Sequence, residues 1–238
     1  MPISIADLRT TPFQVGTYAP AGAGMPLLRR TDGSALGTGI PPENEHLVAH
    51  NGIVGYTNGP AAQPGSQLIS FRAAGTHNNA AYLLYRDNNI SSITFDSSVN
   101  RFFTDNLSGC SVFVDRLPNG NMVVYHANVQ GGAYRPTEEQ SLNVRYERQL
   151  AVAVKRQYHI NAARHYAGAV SVGSLFKDRY NANAAAAVNV ARFANTPVLA
   201  LGTTVVGFRT GAGWQFWYQT WIRSAANVFV VAGAEQFC

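Results

Sequence analysis

Between residues 67 and 127, apolar and polar positions alternate in five short runs, 67–72, 80–86, 90–95, 110–116 and 121–127, separated by Asn, Asp, Ser and Gly. A period of two sends successive side chains to opposite faces of an extended chain, and the separators are turn formers, so this stretch predicts an antiparallel sheet. The pattern then changes. Thr137-Glu138-Glu139-Gln140 follows Pro136 as a capping box, and Leu142, Tyr146, Leu150, Val154 and Tyr158 recur every fourth residue, which predicts one long helix over 137–166. The Ala- and Asn-rich stretch 181–193 specifies no state. Strand patterns resume at 198–209, 214–222 and 227–231. In the second of these, Trp214, Phe216, Trp217, Tyr218 and Trp221 fall on both faces, which predicts a central strand packing a core rather than a stacking platform for bases. Strands, a helix and strands again predict an α+β fold: a β-sandwich-like, antiparallel or mixed core flanked by helices.

Residues 1–65 differ in kind, holding 8 of the 11 Pro and 10 of the 22 Gly, a composition of turns and extended segments. They are expected to form a loop-rich covering with a flexible start, within a single catalytic domain spanning 1–238. A chain of 238 residues with 46% apolar and 13% charged residues can bury a large core without disulfides or a structural metal. No apolar run approaches the roughly 20 residues that cross a bilayer, so integral membrane association is not expected. Met1 to Asp7 lacks a basic stretch followed by an apolar one, so no classical signal peptide is visible.

The net charge of +5 comes from 18 cations, of which only Lys155 and Lys177 are lysine. Two readings remain open, the codon usage of a GC-rich genome, which is favoured, and avoidance of lysine in a cytosol that marks proteins through it. The arginines are scattered from Arg9 to Arg223 with only Arg29-Arg30 adjacent, so nucleic acid is not expected as the primary ligand. His46 and His50 have the spacing of a helical zinc pair, but Pro41-Pro42 and Asn51-Gly52 confine any helix there, and the zincin glutamate is absent. No P-loop occurs. Neither a metal nor a cofactor is expected.

The remaining chemistry lies in one hairpin. Cys110-Ser111-Val112-Phe113-Val114-Asp115-Arg116 and Asn121-Met122-Val123-Val124-Tyr125-His126 flank Leu117-Pro118-Asn119-Gly120. A three- or five-residue loop centred on Pro118 sets Cys110 directly opposite His126, with Cβ atoms about 5 Å apart on one face. A two-residue Asn119-Gly120 turn sets Cys110 opposite Val129 instead, so the loop type decides whether a thiol meets an imidazole. A Cys beside a His forms a thiolate–imidazolium pair, an activated nucleophile with a stored proton. Gly109 adds room for a substrate carbonyl and a tight turn that aims the Cys110 N–H at an oxyanion. The alternative is a buried, inert cysteine with an unrelated histidine.

Leu107-Ser108-Gly109-Cys110 with His126 downstream resembles the Leu-Ser-Gly-Cys motif of the glutamine deamidase toxins, the family of the cytotoxic necrotizing factor catalytic domains and Burkholderia lethal factor. Phe102-Phe103-Thr104, Val112-Phe113 and Val124-Tyr125-His126 are more similar to the lethal factor. The likeness covers about residues 102–126, roughly a tenth of the chain, and the interval from Cys to His differs from both relatives. The resemblance implies a β-sandwich with flanking helices and a glutamine deamidase. In it Cys110 attacks a side-chain carboxamide, His126 serves as acid and then base, and Leu107, Ser108 and Gly109 form the motif and oxyanion loop. It also implies that the main-chain carbonyl at Thr104 orients the imidazole, its side chain not being required. By analogy the partner is a host protein, a DEAD-box translation-initiation helicase first and a Rho-family GTPase second. The chain is then a monomeric bacterial toxin or effector, exported without a classical signal and acting in the host cytosol. A cysteine protease or transglutaminase shares the thioester chemistry, and a non-catalytic β-rich binding module with a buried Cys110 is the non-enzymatic alternative.

Overall fold

The computed structural model describes residues 3–16, 47–50, 52–62, 65–75, 79–84, 89–107, 109–128, 168–188 and 197–238. In chain order these form α1 (Asp7–Thr10), β1 (Phe13–Val15), β2 (Leu47–His50), β3 (Ile53–Pro60), β4 (Gln67–Ala73), β5 (Asn79–Leu83), β6 (Asn89–Phe95) and β7 (Arg101–Thr104). They continue with β8 (Ser111–Arg116), β9 (Met122–Asn128), β10 (Val170–Leu175), α2 (Lys177–Val188), β11 (Val198–Thr210), β12 (Gly213–Ser224) and β13 (Phe229–Gln236). One sheet has eight strands in the order β1-β4-β3-β5-β7-β11-β12-β13, the other five in the order β10-β8-β9-β6-β2.

This corrects the expected fold class. The described chain is β-rich, with curled sheets, and not an α+β core flanked by helices. The expected helix over 137–166 lies outside the described residues, and the longest helix among the described residues, α2, begins before the Ala/Asn-rich stretch. Strands were also missed. Ile53-Val54-Gly55-Tyr56-Thr57 carries β-branched and aromatic residues, but the surrounding Pro and Gly obscured it, and it is β3. None of the described helices is long and apolar enough to cross a membrane.

The two sheets enclose one core between them. Ile93 and Phe95 of β6, Val112 and Val114 of β8 and Met122 and Val124 of β9 meet Leu83, Phe102, Val205, Phe216 and Tyr218 of the larger sheet. Phe95 stacks on Phe102 across the gap with ring centroids 5.6 Å apart and meets Trp214 edge-on at 5.0 Å. The opposite face of the larger sheet carries a second core of Tyr56, Ile69, Tyr82, Phe103, Val206 and Trp217, covered by Ile3, Leu8, Phe13 and Val15 of the N-terminal segment. With both faces buried, β12 shows aromatics on each. It is hydrogen-bonded on both sides but next to last in its sheet, not central.

Gln219 of β12 fastens that N-terminal segment. Its Oε1 accepts the Phe13 N–H at 2.7 Å, and its Nε2 donates to the carbonyls of Leu8 at 2.6 Å and Thr11 at 2.8 Å. Gln219 is fully buried, so Gln219→Leu strands one amide and two carbonyls away from water. It is expected to cost about 3 kcal/mol or more, read as a lower urea midpoint at unchanged m-value.

Candidate active site

The hairpin has a register that neither sequence alternative anticipated. Val112 pairs with His126 and Ser111 with Ala127, so the hairpin is centred on Asn119 and not Pro118. The Gly120 N–H donates to the Leu117 carbonyl at 2.9 Å, the Leu117 N–H donates to the Asn121 carbonyl at 2.8 Å, and Gly120 sits at φ +85°. This is a three-residue loop in which a type I turn ends on a left-handed residue. Pro118 suits the first turn position with its fixed φ, and the glycine takes the left-handed one. The shift by one residue moves Cys110 off the position opposite His126 to a diagonal one. Cys110 directly precedes β8 and packs in the same inter-sheet core as Val112, Val114 and Val124, the face that alternation gives His126. Diagonal neighbours have Cα atoms roughly 7–8 Å apart, within reach of side chains that turn toward each other.

His126 is held from the other sheet. The Thr104 hydroxyl, at the end of β7, lies 3.0 Å from the Leu83 carbonyl of β5 and 2.7 Å from His126 Nδ1. A carbonyl only accepts, so with the hydroxyl hydrogen on Leu83, Thr104 Oγ1 accepts from Nδ1–H; with it on Nδ1, the ring is the acceptor. The first arrangement holds the Nδ1–H tautomer, with its lone pair on Nε2, the form a general base needs. At Thr104 the side-chain hydroxyl makes a contact with the imidazole, where the resemblance implied only the main-chain carbonyl.

His126 is 1% exposed, and burial lowers its pKa from 6.5 to about 3. At neutral pH the imidazole is therefore neutral, which suits it to accept a proton as a base. A folded-state pKa below the unfolded value means the unfolded chain binds the extra proton. Stability is then complete above about pH 6.5 and falls, as pH drops toward 3, by roughly 1 kcal/mol per unit. His126→Gln is expected to flatten this acid limb, which urea titrations at pH 7, 5 and 4 measure.

Between Thr104 and Cys110 the described residues are fastened at several points. The Tyr82 hydroxyl donates to Asp105 Oδ1 inside the protein. Leu107, fully buried, forms a bridge with Thr203, its N–H donating at 2.7 Å and its carbonyl accepting at 3.0 Å. With its amide so engaged, Leu107 is an anchor and not an oxyanion donor. The buried Tyr180 hydroxyl of α2 donates to the Cys110 carbonyl at 3.0 Å. Ser108 lies outside the described residues. Gly109 is exposed, its φ lies outside the left-handed region, and a Cβ added there would meet nothing within 4 Å. Gly109 thus has open space beside it, next in the chain to Cys110, which is itself 6% exposed.

The structure thus brings Thr104, His126 and Cys110 into one inter-sheet layer, and it adds Leu83 and Tyr180, which sequence reasoning missed. Neither carries a local signal. Leu83 acts through its backbone, and Tyr180 lies 70 residues from its partner. A cavity of about 450 Å³ lies elsewhere, lined by Thr11, Asn58, Gly65 and Ser66 among others, with no Cys or His in its wall. The zinc geometry considered for His46 and His50 required a helix. His50 ends a strand, His46 is not described, and no cluster of metal-ligating side chains occurs among the described residues. Compared with known proteins, the chain matches no family model and no curated protein.

Proposed function

We propose that this protein is a glutamine deamidase of the toxin or effector type, hydrolysing one side-chain carboxamide of a host protein through Cys110 and His126. The observation that carries the reading is the hydrogen-bonded chain from the Leu83 carbonyl through Thr104 Oγ1 to His126 Nδ1, which suits the tautomer with the base's lone pair on Nε2. His126 Nε2 takes the thiol proton as Sγ attacks the amide carbon, and the proton passes to the departing ammonia. Water then adds to the thioester, His126 takes its proton, and glutamate leaves as the thiol re-forms. A neutral, buried imidazole favours proton transfer concerted with attack over a standing thiolate. The likeness of Leu107 to Cys110 and of His126 to the Leu-Ser-Gly-Cys toxins selects a carboxamide as substrate, with a DEAD-box initiation helicase tested first and Rho-family GTPases second. Peptide mapping of both after incubation distinguishes the products: free acid for a deamidase, an amine adduct for a transglutaminase, a cut backbone for a protease. No product of any kind on either target, with wild-type protein equivalent to Cys110→Ser, contradicts the reading.

The low exposure of Cys110 favours a second reading, a β-rich binding module in which the thiol only fills the core. Iodoacetamide separates the two, since an inert core thiol is labelled only on unfolding.

A further inference from the structure

Ser91 lies in β6 directly opposite His126, the two forming a register pair in the smaller sheet. Directly opposed residues share a face with Cβ atoms about 5 Å apart. Ser91 is 2% exposed, and its hydroxyl is buried with no hydrogen-bond partner among the described residues. A hydroxyl left this way costs stability, and Ala in its place would not, so the group calls for a use that the fold does not supply. Its surroundings narrow that use. On the same face His126 is flanked by Val112 across β8, Val124 two residues earlier in β9 and Ile93 two residues beyond Ser91, all buried and apolar. The Thr104 hydroxyl is already committed to Leu83 and Nδ1.

A water molecule in such a setting needs two or more polar partners. We infer that Ser91 holds, together with His126, the water that resolves the Cys110 thioester, and so directs the intermediate to hydrolysis. This rests on the deamidase reading above. In the step, the water oxygen adds to the thioester carbon as one proton passes to His126 Nε2. The C–S bond then breaks, the sulfur recovers that proton, and the carboxylic acid leaves. Ser91 touches only the water, by hydrogen bond, and acylation does not involve it.

The test uses p-nitrophenyl acetate, which acylates an activated thiol without the native substrate: the acyl carbon bonds to Sγ as nitrophenolate departs. Wild-type protein is expected to show a Cys110-dependent nitrophenolate burst followed by steady turnover. Ser91→Ala is expected to keep the burst within about 3-fold, slow the steady phase by about 10-fold or more, and accumulate acetyl-Cys110 visible by intact mass. Ser91→Thr restores turnover. The melting temperature of Ser91→Ala is expected to match or exceed the wild type, as a structural hydroxyl would not allow. If Ser91→Ala turns over like the wild type, or loses burst and turnover together, the role of Ser91 is overturned and the deamidase reading stands. If the wild-type protein gives no burst that Cys110→Ser abolishes, the deamidase reading fails and the role of Ser91 with it.

Discussion

Cys110→Ser is expected to lower amide hydrolysis by about 10⁴-fold or more while leaving the fold and the unfolding midpoint nearly unchanged. The size follows from the environment of His126. Burial holds that imidazole at a pKa of about 3, so it is a weak base. A weak base can relieve a thiol, whose ordinary pKa is about 8.5, far more readily than an alcohol. Where the base is strong, an alcohol is a workable nucleophile; here it is not. The variant is also conservative in volume, and the Tyr180 contact is to the Cys110 carbonyl, which the substitution preserves. Mass-spectrometric counting of deamidated glutamine on the target, with equal protein and time, measures the loss. Residual activity within 10-fold of wild type would mean that Cys110 is not the nucleophile.

Thr104→Val is expected to lower the same activity by roughly 10²- to 10³-fold, the second largest effect. Valine keeps the shape and removes the hydroxyl that bonds both Nδ1 and the Leu83 carbonyl. The imidazole then populates both tautomers and more than one orientation, and Nδ1 loses this buried contact. A stability loss of about 1–3 kcal/mol accompanies this. Thr104→Ser restores the hydroxyl and is expected to recover most of the rate. Nitrogen-15 chemical shifts of His126 report the tautomer directly, and a loss of rate with an unchanged tautomer would assign Thr104 a packing role only. Family resemblance alone, which implies a main-chain carbonyl here, leads to the opposite expectation of a silent Thr104→Val.

How much of this was legible in the sequence depends on the range of the interaction. Alternation and turn residues are local, and they located strands overlapping β4, β5, β6, β8, β9, β11, β12 and β13. The Cys110 and His126 hairpin was found the same way, but its centre was off by one residue, which moves each pairing by two. Pro118-Asn119-Gly120 contained the answer: the last loop residue is the glycine, and the left-handed position it occupies centres the hairpin on Asn119. β7, only four residues long, and β10, with a bulge between Ser171 and Gly173, are too short or irregular for the pattern to register. The larger error, a helix-flanked α+β core, came from weighting the 137–166 periodicity above the strands hidden among the Pro and Gly of the first 65 residues. Thr104 was named for its backbone, because no sequence signal tells that Leu83 runs parallel beside it and takes its hydroxyl hydrogen. No local pattern marks Ser91. Its pairing with His126 depends on β6 lying next to β9, a contact between residues 35 positions apart.

The central claim is that the Cys110 thiol is activated by His126 and not merely enclosed, and competitive alkylation tests it in one measurement. The protein carries its own reference thiol in Cys238, partly buried, with a pKa pushed up to about 12 by burial. Native protein at pH 7 is treated with iodoacetamide, and the two cysteines are quantified by peptide mapping over time. The account predicts that Cys110 is labelled at least about 10-fold faster than Cys238, and that His126→Ala removes the difference. Labelling of Cys110 that is no faster than that of Cys238, or that begins only when denaturant unfolds the sheets, would contradict it.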